Sequence, residues 1–263
     1  MKLNRSYQPV PQSRIATFDV YSVGLLRHHI SALLEFDVTV SRAKLRELKS
    51  RGVKASFNAW VIKAISSALE RHPEAAGYLS GKRKLVTFGD VNVSVAVEKE
   101  IGGKRVPIPL VISKANEKSI TEIAQELEDA RGQALTGSDI VINRKPALHE
   151  RLYYHLPGFL RRAFWRYLQR RPGLAFKTMG NVMVTSLTAA GRINGWFIHR
   201  SVHPLSFGVG SIIKKAVVID DEVRVREILN MTILLDHDVI DGAPMLRFIK
   251  DLTKSIENGE GVG

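Results

Sequence analysis

Residues 223–252 constrain the chain more than any other stretch. Val223 to Ile233 is rich in β-branched and apolar residues and predicts a strand. Met245-Leu246-Arg247-Phe248-Ile249-Lys250-Asp251-Leu252 carries apolar residues at helical spacing. Between them runs Leu234-Leu235-Asp236-His237-Asp238-Val239-Ile240-Asp241-Gly242-Ala243-Pro244. The pattern is strand, loop, helix, with His237 where the strand ends. A loop held between rigid elements is a common place for a catalytic group, and Gly242 lets the backbone turn tightly. Histidine is the side chain best suited to take up a proton near neutral pH. An aspartate nearby holds the ring, or orders the loop by pairing with an arginine. The plain alternative makes His237 a packed or exposed histidine and Asp241 a helix cap.

Composition narrows the function classes. The 263 residues suffice for one large domain or two small ones, and 44% hydrophobic residues suit a sizeable core. A formal net charge of +13 points to an acidic partner, an anionic cofactor, a membrane surface or nucleic acid. With no cysteine there is no disulfide framework, no thiolate metal site and no cysteine nucleophile. No apolar run reaches the roughly 18 residues of a spanning helix. Met1 to Ser6 lacks the apolar core of a signal peptide. The expected location is cytoplasmic, with peripheral membrane attachment as the variant.

Taken in order, residues 1–14 form a polar arm with Pro9 and Pro11, and 14–27 suits either helix or strand. A strand is predicted over 30–40 and a helix over 42–49 with Ser41 as its cap. Phe57, Trp60, Val61, Ala64, Ile65, Ala68 and Leu69 share one helical face, with Ser56 as cap and Pro73 after the last turn. Strands follow over 88–97 and 106–112, joined by a Gly102-Gly103 turn. Pro107 and Pro109 mark the second as an edge. Ser119-x-x-Glu122 is a capping box for a helix to about Leu135. Strands over 180–187 and 207–212 come next, and Asp220-Asp221 suits a hairpin turn.

His237-x-x-x-Asp241-Gly242 resembles the HxxxDG signature of the chloramphenicol acetyltransferase and dihydrolipoamide acyltransferase superfamily. The longer block with Asp236, Val239, Ile240, Ala243 and Pro244 is closer to the dihydrolipoamide acyltransferases, the core subunits of 2-oxoacid dehydrogenase complexes. Their usual form is DHRxxDGA, and here Asp238 stands in place of the arginine. The segments Phe36-Asp37-Val38-Thr39, Val53 to Glu74, Asn92 to Ile112 and Lys118 to Ala124 are similar to the strands and helices of the same core. Asn181-Val182-Met183-Val184-Thr185-Ser186-Leu187 resembles the family segment whose hydroxyl donates to the oxyanion. By that match Thr185 takes the role, with Ser186 its nearest competitor, and Thr188 replaces the expected glycine.

The resemblance implies an α/β (α+β) fold, the chloramphenicol acetyltransferase-like two-layer sandwich, with a mixed β-sheet and covering helices. It implies one catalytic domain over 1–263; family members also carry lipoyl and peripheral-subunit-binding domains before the core, and neither is expected here. It implies an acyltransferase moving an acyl group between a thioester and a thiol, with coenzyme A or acyl-coenzyme A as substrate and no metal. His237 is then the general base, Thr185 the oxyanion donor and Asp241 a loop organiser, for which Arg27 is a candidate partner. The assembly expected is a homotrimer or a multiple of trimers, with the active site between subunits. The other class of reading is a degenerate acyltransferase-like scaffold or a membrane-associated interaction protein.

Residues 138–178 depart from the family. Phe159, Leu160, Ala163, Phe164, Tyr167 and Leu168 repeat at helical spacing, with Arg161, Arg162, Arg166, Arg170 and Arg171 among them. Either this apolar face packs on the domain, or it meets an anionic membrane surface or an acidic protein such as an acyl carrier or a separate lipoyl protein. Nucleic acid is disfavoured, since no recognised binding motif accompanies the charge.

Overall fold

The computed structural model describes residues 5–7, 13–81, 83–101, 104–133, 153, 155–187, 191 and 193–262. Most of the N-terminal arm, the Gly102-Gly103 turn, Thr188 and much of the first half of the inserted segment lie outside them.

Helix α1 (Ser13–Gly24) leads into strand β1 (His29–Asp37), then α2 (Thr39–Ser50) and α3 (Phe57–Arg71). A short hairpin, β2 (Tyr78–Ser80) and β3 (Lys84–Val86), precedes β4 (Val93–Ile101), β5 (Lys104–Ile112) and α4 (Ile120–Gly132). Helices α5 (Gly158–Gln169) and α6 (Pro172–Met179) follow. The chain closes with β6 (Val182–Ser186), β7 (Leu205–Ile219), β8 (Glu222–Asp236) and α7 (Gly242–Asn258).

Six strands make one mixed sheet in the order β1-β8-β7-β6-β4-β5. The pairs β4–β6 and β6–β7 are parallel and the others antiparallel. The two prolines of β5 sit on the edge strand, where a missing N–H costs no interior ladder bond. Asp220 and Asp221, both at positive φ, turn the long β7–β8 hairpin.

Local chemistry sets the helix ends. The Ser56 hydroxyl accepts from the Ala59 amide at 3.1 Å, and Ser119 and Glu122 close a reciprocal capping box. Ser41 is not a cap. Helix α2 begins two residues earlier, where Asp37 accepts from the Thr39 amide at 3.0 Å and its hydroxyl at 2.6 Å. Ser41 is buried and donates to the Ile256 carbonyl of α7.

One face of the sheet packs on α3, α4 and α7. Val182, Val184, Phe207, Val209, Met231 and Ile233 meet Trp60, Ile65, Phe248 and Leu252 in a single core. Trp60 is fully buried, and its indole N–H donates to the Glu260 carbonyl. Alternation along each strand sends the intervening side chains to the opposite face. There Met183 meets Ser201, and Gly208 lies under Phe197 and His199, so the segment 193–203 covers that face beside β6.

Candidate active site

The pairing of β1 with β8 places His29 opposite Asp236 and so brings Arg27 and His28 beside the His237 loop. Asp236 is almost fully buried and takes the Arg27 guanidinium at 2.5 Å. The same arginine donates through Nε to the Val202 carbonyl and lies over the Tyr78 ring. The other oxygen of Asp236 accepts from the Asp238 amide at 3.3 Å, and its backbone carbonyl accepts from the Val239 and Ile240 amides. His237 donates its own amide to the His28 carbonyl at 3.0 Å, and its side chain stands exposed. The loop is thus clamped from both sides while the imidazole is left available.

Arg27 therefore pairs with Asp236 and not with Asp241. Asp241 occupies the N-cap position of α7, is exposed, and makes no capping hydrogen bond. Asp238, the residue that departs from the family pattern, lies 2.9 Å from Nδ1 of His28. Its hydrogen bond and charge raise the His28 pKa above the usual histidine value. The departure is absorbed by a neighbour that sequence reasoning does not single out.

Thr185 lies on β6 opposite Gly208 of β7, which is itself opposite Thr232 of β8. From Thr232 to His237 is five residues along β8, roughly 17 Å, and Thr185 is two strands away, roughly 10 Å. Within one chain the two candidates are therefore on the order of 15–20 Å apart. Ser186 points to the helix-covered face, with its hydroxyl 3.4 Å from Asn58. Thr185 points to the face covered in part by 193–203.

That second face is polar. His199 Nε2 lies 2.5 Å from the buried Ser206 hydroxyl, and burial pushes the His199 pKa down to about 4. His203 is fully enclosed, donates to or accepts from Ser201, and meets the Met179 carbonyl at 2.9 Å; burial also takes its pKa down to about 4. Both rings are neutral near pH 7. Among the described residues, buried His199 Nδ1, Asn230 Oδ1 and Thr232 Oγ1 have no hydrogen-bond partner. No sequence signal beyond a local density of histidines marks this patch. On the helix-covered side, a cleft of about 410 Å³ is lined by Arg42, Ser56, Asn58 and Ser211 among others.

The sequence matches the family of 2-oxoacid dehydrogenases acyltransferase (catalytic domain) over residues 27–139 and 206–262, more than half of the chain. The chain belongs to that family. Both flanks of the His237 loop fall in the matched parts, whereas Thr185 and α5 fall between them. Among curated relatives, the dihydrolipoyllysine-residue acetyltransferase component of the pyruvate dehydrogenase complex from Mycoplasma genitalium is 27% identical over 211 residues. That match covers 80% of this chain and 45% of the relative, so the chain spans under half the relative's length. The crystal structure of a probable dihydrolipoamide acetyltransferase from Listeria monocytogenes superposes with a TM-score of 0.69 at 23% identity, covering 97% of this chain and 96% of that one. The dihydrolipoamide acetyltransferase of Azotobacter vinelandii gives 0.69 at 19% identity, covering 98% and 94%. The latter was solved in a study of the role of a serine, a histidine and an asparagine in its catalytic mechanism. The fold is the one these cores share.

Proposed function

We propose that this chain forms one catalytic domain that transfers an acyl group between a thioester and a thiol, with coenzyme A or its acyl ester as one of the pair. The observation that carries the reading is the exposed His237 imidazole on a loop clamped by Arg27 and Asp236. A thiol with a pKa near 8.5 is mostly protonated at neutral pH, and only the thiolate attacks. His237 takes the thiol proton as sulfur bonds to the thioester carbonyl carbon. The carbonyl oxygen becomes an oxyanion, which the Thr185 hydroxyl stabilises. Collapse restores the carbonyl, breaks the bond to the first sulfur, and returns the proton from His237 to the departing thiolate.

Spacing supports these roles. In the Azotobacter enzyme the serine stands 52 residues before the histidine and the asparagine four after it. Here Thr185 stands 52 before His237 and Asp241 four after it. A hydroxyl 15–20 Å from the base cannot serve it within one chain, so we place Thr185 of one subunit against His237 of the next, in a trimer or a multiple of trimers. Asp241 then orders the mouth of the site from the start of α7.

The test is thiol release from a panel of acyl-coenzyme A donors. His237→Ala is expected to lower the rate by orders of magnitude at an unchanged melting temperature. A wild-type rate in that variant would overturn the assignment.

A further inference from the structure

Helix α5 is held to the domain by its other side and presents its apolar residues to solvent. Arg161 donates to the buried Asp19 carboxylate of α1 at 2.6 Å, Tyr153 donates to the same carboxylate, and Leu168 is buried. Phe159 is 64% exposed, Phe164 47% and Tyr167 52%. At about 100° per residue, Phe159, Leu160, Ala163, Phe164 and Tyr167 form one outward arc. Arg162, Arg166 and Arg170 form a row along its edge, one turn apart.

Charge along this part of the chain has one sign. Residues 151–219 contain eleven lysines and arginines and no aspartate or glutamate. Among the described residues, neither Arg166 nor Arg170 pairs with an acid. A basin beside the ridge is lined by Tyr167, Arg170, Arg171 and Leu174, with the Arg171 guanidinium over the Tyr167 ring. The outward side of α1 repeats the chemistry with Arg14, Phe18 and Tyr21.

We propose that α5 docks the protein on the surface of an anionic phospholipid bilayer. An apolar arc edged by arginines is the arrangement of an interfacial helix, whose rings enter the acyl boundary while guanidiniums meet phosphate. A second copy of this ridge is a poor occupant, because two faces from a segment with basic and no acidic residues repel. A stable protein interface needs about 800 Å² from each partner with close shape matching. A single 12-residue ridge supplies little of that, whereas lipid deforms around a ridge.

The test is flotation with phosphatidylcholine vesicles, with and without phosphatidylglycerol. The wild-type protein is expected to float with the anionic vesicles at about 0.1 M salt and to be released at about 1 M, as the Debye length falls from about 10 Å to about 3 Å. Replacing Arg162, Arg166 and Arg170 by glutamate is expected to weaken binding by at least about 100-fold, and Phe159→Ser with Phe164→Ser to weaken it as well. The chain has no cysteine, so Phe159→Cys gives a single labelling site; a polarity-sensitive dye there should shift to the blue on vesicle addition. Absence of flotation at low salt by protein of unchanged melting temperature overturns the proposal. So does arginine-dependent binding to an acidic protein or to RNA without binding to vesicles, or flotation without any dye shift.

Discussion

Asp236 and Asp238 flank His237, and each takes a cation from just before β1: Arg27 for the first, His28 for the second. The two pairs differ in how they respond to pH. The arginine stays charged throughout, whereas the His28–Asp238 pair depends on an imidazolium. Because the His28 pKa is raised in the folded state, the pair's contribution is complete below the ordinary value of 6.5 and is lost as pH rises through the raised value. Asp238→Asn should therefore return the His28 titration, followed by NMR, towards that ordinary value. An unchanged titration would mean that the pair does not form in solution. The resemblance offers Arg27 as a partner for Asp241, whereas the structure gives it to Asp236. The choice rests on the His29–Asp236 register, a contact between residues about two hundred positions apart.

At the scale of elements, Gly180 ties the site's two halves together. It precedes β6 with φ of +76° and ψ of −176°, a region that side-chain-bearing residues avoid. A Cβ there would lie 2.3 Å from the Asn92 carbonyl oxygen. Its own carbonyl accepts the Tyr78 hydroxyl, and the Tyr78 ring carries the Arg27 guanidinium that clamps the His237 loop. Gly180→Ala should cost about 1–3 kcal/mol in chemical denaturation and should lower activity by loosening both β6 and the clamp. A wild-type denaturation midpoint would contradict this. Elements whose signals are local are read from sequence most closely. The Ser56 cap and the Ser119 capping box each join residues three positions apart. Ser41 is misread as a cap because its hydroxyl serves the far end of the chain.

For the whole molecule, charge and burial set the pH range. His203 is enclosed and neutral, with a pKa near 4 against 6.5 for an ordinary histidine. Below pH 6.5 the unfolded chain takes up a proton that the folded one refuses. Stability is therefore full above that value and is lost as pH falls towards 4, by on the order of 3 kcal/mol from His203. His199 adds a loss of the same sign. Urea midpoints at pH 7.5 and 4.5 should differ accordingly, and the difference should shrink in His203→Gln. A flat profile would show that the ring is hydrated. The family and the His237 loop are legible in the sequence because one contiguous block carries them. The separation of Thr185 from His237 within one chain is not, because it depends on strand order. The proposed pairing of the two across subunits is tested most directly by complementation. His237→Ala and Thr185→Ala proteins, each deficient alone, are to be mixed under conditions that allow subunit exchange, and thiol release measured. A site shared between chains has one intact pairing at some interfaces of a mixed trimer, so activity should reappear well above the sum of the separate variants. A mixture no more active than its parts, with exchange verified by mass, would contradict the shared site.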